Sequence, residues 1–357
     1  MTDAGLVVLA VVAFAAAAIL AFLLTPLARR LAHRVDAVDQ PAERRVNTSP
    51  IPRGGGVAVA TAYLAVAGTL LALDAAVGLW DAGDAPASPG LAALLLGGVA
   101  AAVIGMLDDR FDLRARWQLG GQVLVALVPV ALGISVGAVA NPFGPGSIRL
   151  EGVFGAIFVV VWITGMINSI NFIDGLDGLS SGVGVIAAVT LAIISVAGPR
   201  SEPVVAVICL TLAGALLGFL RWNFHPASIF IGTSGVMFVG YTLAMLSILG
   251  SAKVAVALLV LGVPIIDTFY SIVRRLAAGR SPFSPDRGHI HHRLLDVGLS
   301  HTQTVLVIYA ICAGLGGLSL LLSGTGQLYA FLGAFLVFGI VILLLDRAVD
   351  ERAPHGG

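Results

Sequence analysis

Charge is what this sequence has least of. Asp, Glu, Lys and Arg make up 11% of its 357 residues, where a soluble domain carries about 25%. With 58% hydrophobic residues beside so little charge, the chain cannot clothe a soluble surface and reads as an integral membrane protein. Cysteine is almost absent. Cys209 and Cys312 both fall inside apolar runs, which excludes a disulfide framework and a cysteine-based metal cluster. No basic segment precedes the first apolar run, so that run is expected to stay as an anchor. There is no visible internal repeat of the transporter kind, no Walker loop and no Ser/His/Asp nucleophile arrangement. The formal net charge is zero, and no nucleic-acid partner is expected.

What is abundant is apolar sequence in runs of membrane length. Eleven runs of roughly 17–25 residues fall at 5–27, 55–80, 90–107, 117–137, 152–169, 179–198, 203–220, 234–250, 253–271, 303–323 and 327–345. Sorting the 20 basic residues by loop tests that count. With the N-terminus outside, 17 of them lie on the cytoplasmic side and only Arg149, Arg200 and Lys253 on the other. That asymmetry is the positive-inside pattern. The expectation is an all-α, polytopic membrane protein of eleven helices, N-terminus outside and C-terminus cytoplasmic. It forms one domain over 1–350 with a flexible tail at 351–357. The exterior loops are short or bland, whereas every unusual cluster lies on the cytoplasmic side.

The most informative stretch is Asn168-Ser-Ile-Asn171-Phe-Ile-Asp174-Gly-Leu-Asp177-Gly-Leu, set directly against membrane helix. Asn168, Asn171, Asp174 and Asp177 recur every third residue, so on a helix neighbours share one slowly drifting face. Two carboxylates and two amides at a bilayer rim are expensive to desolvate without partners, and a polar ligand explains them. The alternative is a turn at Asp174-Gly and Asp177-Gly, with Asp177 capping the next helix. A second acidic cluster, Asp108-Asp109-Arg110-Phe-Asp112, closes the third run at the negative end of its helix dipole. Something cationic should compensate it: a metal, or Arg110, Arg114 and Arg116. With the ladder, four acids at two helix ends make a plausible cradle for Mg²⁺, or Mn²⁺ in its place, and for phosphates.

Three further clusters lie on the same side. Ser281-Pro-Phe-Ser-Pro-Asp286-Arg287-Gly-His289-Ile-His291-His292-Arg293 is rich in donors and suits an anion. A zinc site or a plain solvated loop competes, although no paired cysteines complete a tetrahedral set. Arg44-Arg45-Val-Asn47-Thr-Ser-Pro50-Ile-Pro52-Arg53-Gly-Gly-Gly56 either signals topology or shapes an anion-binding backbone near a helix start. Arg221-Trp-Asn223-Phe-His225-Pro-Ala-Ser-Ile-Phe230-Ile-Gly-Thr233 contributes an amide and aromatics. Phe230 is either a base-stacking or an interfacial ring. Within the ninth run, Asp267 and Arg274 stand two turns apart on one face, and an ion pair is expected between them. A basin of this composition suits phosphoryl transfer between a soluble anion and a lipid, catalysed by positioning and charge neutralisation.

At these residues the chain resembles a known family. Val103-Ile-Gly-Met-Leu-Asp-Asp-Arg110, Asn168 to Leu179 and Asp286-Arg-Gly-His-Ile-His-His-Arg-Leu294 look like the polyprenyl-phosphate N-acetylhexosamine-1-phosphate transferases. The motifs keep the family's order from Arg44 to Leu295, and the histidine loop resembles the branch that makes undecaprenyl-diphosphate GlcNAc. The resemblance implies that polyprenyl phosphate attacks the β-phosphate of a UDP-N-acetylhexosamine, giving a lipid diphospho-sugar and UMP at the cytoplasmic face of a bacterial plasma membrane. It implies Mg²⁺ as cofactor and a homodimer as assembly. Asp108 and Asp109 match the acidic pair that activates or orients the lipid phosphate. Asn171, Asp174 and Asp177 match the nucleotide and metal ladder, with Asp174 placed on the metal. Asn223 and Phe230 match a polar contact and a uracil-stacking ring. His289, His291 and His292 match the loop that receives diphosphate and sugar, and Arg45 and Arg287 are expected to bind substrate.

There is one departure of consequence. Where the family reads Phe-x-Gly-Asp-x-Gly-Ser, with the Asp as a principal Mg²⁺ ligand, this chain reads Phe230-Ile-Gly-Thr233-Ser-Gly-Val236. Position 47 is also Asn where a basic or His side chain is common. A catalytically degenerate lipid- and nucleotide-sugar-binding protein, or a transporter, is the competing class. A transporter should carry mid-span charges and repeat symmetry, whereas here the charges sit at one rim.

Overall fold

The computed structural model describes residues 3–40, 50–80, 88–141, 143–144, 146–197, 201–250, 253–281 and 288–352. Arg45, Asn47 and Arg287 therefore lie outside the described residues, as does most of the expected tail. Each apolar run closes on itself as a helix because, away from water, backbone N–H and C=O groups must be satisfied within the segment. In chain order the elements are α1 (Asp3–Arg34), β1 (Val38–Asp39), β2 (Ile51–Pro52), α2 (Gly55–Val77), α3 (Ser88–Phe111) and α4 (Ala115–Ala131). There follow β3 (Ala138–Ala140), β4 (Ser147–Arg149), α5 (Val153–Ile173), α6 (Leu179–Ala197), α7 (Pro203–Asn223) and α8 (Gly232–Leu249). The chain ends with α9 (Lys253–Val260), α10 (Gly262–Ala277), α11 (Ile290–Asp296), α12 (His301–Leu321) and α13 (Thr325–Arg352). The strands form two small antiparallel pairs, Val38 opposite Pro52 and Val139 opposite Ile148.

The protein is all-α and polytopic. Among the described residues nine helices are long and apolar enough to cross a membrane, ten if α9 and α10 count as one bent span. The remaining expected span is α4, whose 17 residues reach about 26 Å, at the short end of what crosses a bilayer. Pro129 near its end and Gly133 at φ 82° turn the chain toward β3, so a run predicted to reach 137 stops at Ala131. The ninth span, expected unbroken over 253–271, is instead bent by 77° between α9 and α10. Pro264 lacks the N–H that would continue the ladder of α9, and it stands in the first turn of α10, where none is needed.

α7 and α8 form the centre. Phe219, Phe238 and Tyr241 are fully buried there, α1 runs along α7, and α3 and α5 flank α8. α1 approaches through the buried Ala17 and Ala21, small residues of the kind that let membrane helices meet closely. α2 comes equally close to α8. A Cβ on Gly56 would sit 2.0 Å from the Gly235 nitrogen, and the Gly56 N–H donates to the Ile231 carbonyl at 2.7 Å. Gly56→Ala should therefore cost about 2 kcal/mol of stability, read as a lower Tm in detergent. An unchanged Tm would contradict this packing. Because the helices alternate in direction, the C-terminal ends of α3, α5 and α7 meet the N-terminal ends of α2, α4, α6, α8 and α12 at one rim.

Candidate active site

The acidic pair sits where α3 ends against the start of α8. Asp108 Oδ1 accepts the Leu113 N–H at 3.1 Å and the Gln118 Nε2–H at 2.9 Å. The Asp109 carboxylate straddles the first turn of α8, Oδ1 accepting from Thr233 N–H at 2.6 Å and Oδ2 from Ser234 N–H at 3.0 Å. The positive end of one helix thus answers the acid left at the negative end of another. Two of the three arginines expected to do this, Arg110 and Arg116, rest instead over Phe111 and Trp117. Gly232, at φ 72°, turns both amides toward α3, and a Cβ there would stand 2.6 Å from Asp109 Oδ1.

The proline-glycine cluster holds the aromatic. Phe230 N–H donates to the Pro52 carbonyl and the Gly55 N–H donates to the Phe230 carbonyl, both at 2.9 Å. Arg53 anchors this segment to Asp39 at 2.8 Å and reaches Asp112 at 3.6 Å. Asn223 is buried and uses both ends of its amide on the protein. It accepts from Ser181 Oγ at 2.8 Å and donates to the Ile229 carbonyl at 3.1 Å. Its contribution to the site is to shape the loop that presents the half-buried Phe230.

The ladder divides its labour. Asn168 braces α5 to α4 through Gln122 at 2.6 Å. Asn171 is half-buried and makes no side-chain hydrogen bond among the described residues. Asp174 follows the last residue of α5 and accepts from Ser180 Oγ at 2.5 Å. Burial, with the charges of Asp109 and Asp177 adding to it, pushes the Asp174 carboxyl up to about 7. Asp177 does not cap α6. Its Oδ2 lies 2.7 Å from His225 Nδ1 and accepts the Ala227 N–H at 3.0 Å, bracing the loop after α7. His301, at the start of α12, stacks on His225 with ring centroids 4.1 Å apart. Asp177, His225 and His301 together offer ligand atoms within 4.8 Å of one another, a group able to hold a metal ion. Tyr309 of α12 donates its hydroxyl to the Gly178 carbonyl and so pins the turn.

The histidine loop closes the basin. His291 is buried directly on the ladder: a Cβ added to Gly175 would lie 2.2 Å from its Nε2, and among the described residues neither ring nitrogen has a hydrogen-bond partner. Burial, reinforced by His292, His289 and His301, holds this imidazole well below the usual histidine range, so it stays neutral and can accept. His292 is half-buried, its ring 4.3 Å from that of His291. His289 Nδ1 lies 2.6 Å from Asp267 Oδ2, and Asp267 Oδ1 accepts the Ile290 N–H at 2.9 Å. This replaces the expected Asp267–Arg274 pair. Arg274 instead donates to the Gly288 carbonyl at 3.2 Å.

Ser180, His301 and Tyr309 were given no role by any local pattern, nor was His225 within its cluster, because they reach the site from α6, from α12 and from the loop after α7. The comparisons agree with the motifs. The Glycosyl transferase family 4 profile matches residues 91–251. A probable undecaprenyl-phosphate N-acetylglucosaminyl 1-phosphate transferase of Bacillus subtilis is 37% identical over 84% of this chain and 81% of its own. The decaprenyl-phosphate N-acetylglucosaminephosphotransferase of Mycolicibacterium smegmatis is 36% identical over 95% of this chain and 88% of its own. An undecaprenyl-phosphate alpha-N-acetylglucosaminyl 1-phosphate transferase of Thermotoga maritima is 31% identical over 91% and 94%. Likeness of that depth over nearly the whole chain, on a bundle whose rim gathers the family's motifs, places the protein among the polyprenyl-phosphate N-acetylglucosamine-1-phosphate transferases of glycosyl transferase family 4.

Proposed function

We propose that the protein transfers N-acetylhexosamine-1-phosphate, with GlcNAc as the sugar, from its UDP-sugar to a polyprenyl phosphate. The observation that carries this is the seating of His291 on Gly175. It joins the carboxylate turn and the histidine loop into one basin, large enough in donors and acceptors for a diphosphate. In the reaction, a phosphate oxygen of the lipid forms a bond to the β-phosphorus of the UDP-sugar while that phosphorus's bridging bond to UMP breaks. Eleven crossings with the N-terminus outside, the chain acting as one unit over 1–350, put this rim on the cytoplasmic side, where UDP-sugars are found. A homodimer is part of the same reading.

The donor set fits a hard divalent cation. Asp109 and Asp177 each lie within electrostatic reach of Asp174, and among the described residues no ion pair with Lys or Arg neutralises any of the three. Mg²⁺, or Mn²⁺, would be held by Asp174 with Asp109 beside it, and when bound would screen the repulsion between the two phosphates. The protein's own parts do the positioning. Asp109 holds the start of α8, Phe230 offers a stacking face for uracil, Asp177 and Asn171 meet the nucleotide, and His289, His291 and His292 meet diphosphate and sugar. Labelled UDP-GlcNAc with undecaprenyl phosphate should yield a labelled lipid product, and UDP-GalNAc much less; label remaining wholly in the aqueous phase would overturn the proposal.

Thr233 supports a sharper expectation. A hydroxyl is a weaker ligand for Mg²⁺ than a carboxylate, and Thr233 lies in the first turn of α8 beside Asp109. Thr233→Asp should lower the Mg²⁺ concentration for half-maximal turnover by about tenfold or more. It should also widen the Tm difference between Mg²⁺ and EDTA, since another carboxylate there repels Asp109 until a cation arrives. A Tm insensitive to Mg²⁺ in this variant would place the metal elsewhere.

A further inference from the structure

We infer that Asp267 is a positioning residue: its carboxylate fixes the ring of His289, and with it the direction from which His289 Nε2 meets the phosphates of a bound nucleotide-sugar. What His289 meets rests on the proposed transferase reading, whereas the Asp267–His289 pair stands on its own geometry. Both side chains are buried, Asp267 1% and His289 6% exposed. Asp267 Oδ1 is taken by the Ile290 N–H at 2.9 Å, which leaves Oδ2 to His289 Nδ1 at 2.6 Å. A carboxylate only accepts, so Nδ1 carries the hydrogen and the ring is locked in one tautomer. Nε2 is then the free nitrogen, and it has no hydrogen-bond partner among the described residues.

The ring is held on its faces as well. Phe172, next to Asn171, lies 5.5 Å away, and the His291 ring runs parallel at 5.7 Å. Ser271 Oγ, one turn along α10, stands 3.3 Å from Nδ1 as a second, weaker partner. Among the nearby cations, Arg274 and Arg293 donate to the Gly288 carbonyl and Arg275 covers the Phe172 ring. Asp267 is therefore the acid dedicated to His289. The bend of 77° before α10 is what carries Asp267 to this loop. A structural role alone would be met by asparagine, which can still accept from Ile290 N–H. An asparagine doing so turns its NH₂ toward Nδ1 and drives the hydrogen to Nε2, inverting the tautomer while preserving shape.

The test combines ¹⁵N-histidine NMR with kinetics of the full chain. The wild type should show one histidine held as the Nδ1–H form. Asp267→Asn should invert that tautomer and lower kcat by about 10–100-fold with a small change in KM. Asp267→Glu should keep the Nδ1–H form and recover part of the rate. A wild type without an Nδ1–H histidine overturns the inference before any variant is made. So does an Asp267→Asn protein that inverts the tautomer yet turns over within twofold of wild type, or one that loses activity with the tautomer unchanged. If the wild type binds UDP-GlcNAc but releases no UMP, the transferase reading fails alone. The tautomer of His289 then decides, an Asp267→Asn protein that keeps the Nδ1–H form counting against Asp267.

Discussion

Asp174→Asn is expected to lower turnover by about 10²–10³-fold while leaving Tm within a few degrees of wild type. Asparagine keeps the shape and the acceptor that Ser180 Oγ reaches at 2.5 Å, so the turn into α6 survives. What it removes is the charge of the carboxylate that both Asp109 and Asp177 repel, and with it the strongest attraction for a divalent cation. The pH profile carries the same signature. A carboxyl raised to about 7 is protonated below that value and cannot serve a cation, so at low Mg²⁺ wild-type turnover should climb as pH rises through 7. Saturating Mg²⁺ competes with the proton and moves the limb to lower pH. The variant should lack this limb altogether. Full activity in Asp174→Asn would remove Asp174 from the metal site.

Asp109→Ala should fail differently, losing stability and activity together. Its carboxylate is the partner of two amides at the start of α8, at 2.6 and 3.0 Å, and Asp109 is 7% exposed. Leaving both amides unpaired costs roughly 2–4 kcal/mol, and the freed first turn would let Thr233 and Phe230 shift from the basin. Asp109→Asn keeps one acceptor and should fall about midway in stability, again with turnover depressed. Thermal unfolding in a mild detergent beside an activity assay separates the two acids: Asp174→Asn inactive but stable, Asp109→Ala inactive and unstable. A stable Asp109→Ala would mean that α8 does not depend on this cap.

Much of this was legible in the sequence, for physical reasons. Helices followed from the apolar runs because a bilayer admits little else. The basin followed from the cost of placing Asp108, Asp109, Asp174 and Asp177 against those runs. The misses share a cause, which is that local spacing does not disclose a distant partner. Asp267 and Arg274 face one another on a helical wheel, yet Asp267 pairs with His289, 22 residues on. Asp109 answers amides 124 and 125 residues away, and Asn168 serves Gln122 of α4 rather than a ligand. Pro264 was visible, but whether it kinks a span or divides it depends on packing against α12 and α13. The pairs β1–β2 and β3–β4 are too short for any alternation to show. Arg45 and Arg287 remain proposals from the motifs alone.

Sugar-phosphate transfer should proceed at this rim although Thr233 stands where the family's usual metal ligand does. Its most direct test is UMP release by the purified protein given UDP-GlcNAc, undecaprenyl phosphate and a Mg²⁺ titration, with EDTA as control. UMP release should need both lipid and metal. No UMP from any of several UDP-sugars, with both substrates still binding, would contradict it and leave a protein that holds the family's ligands without joining them.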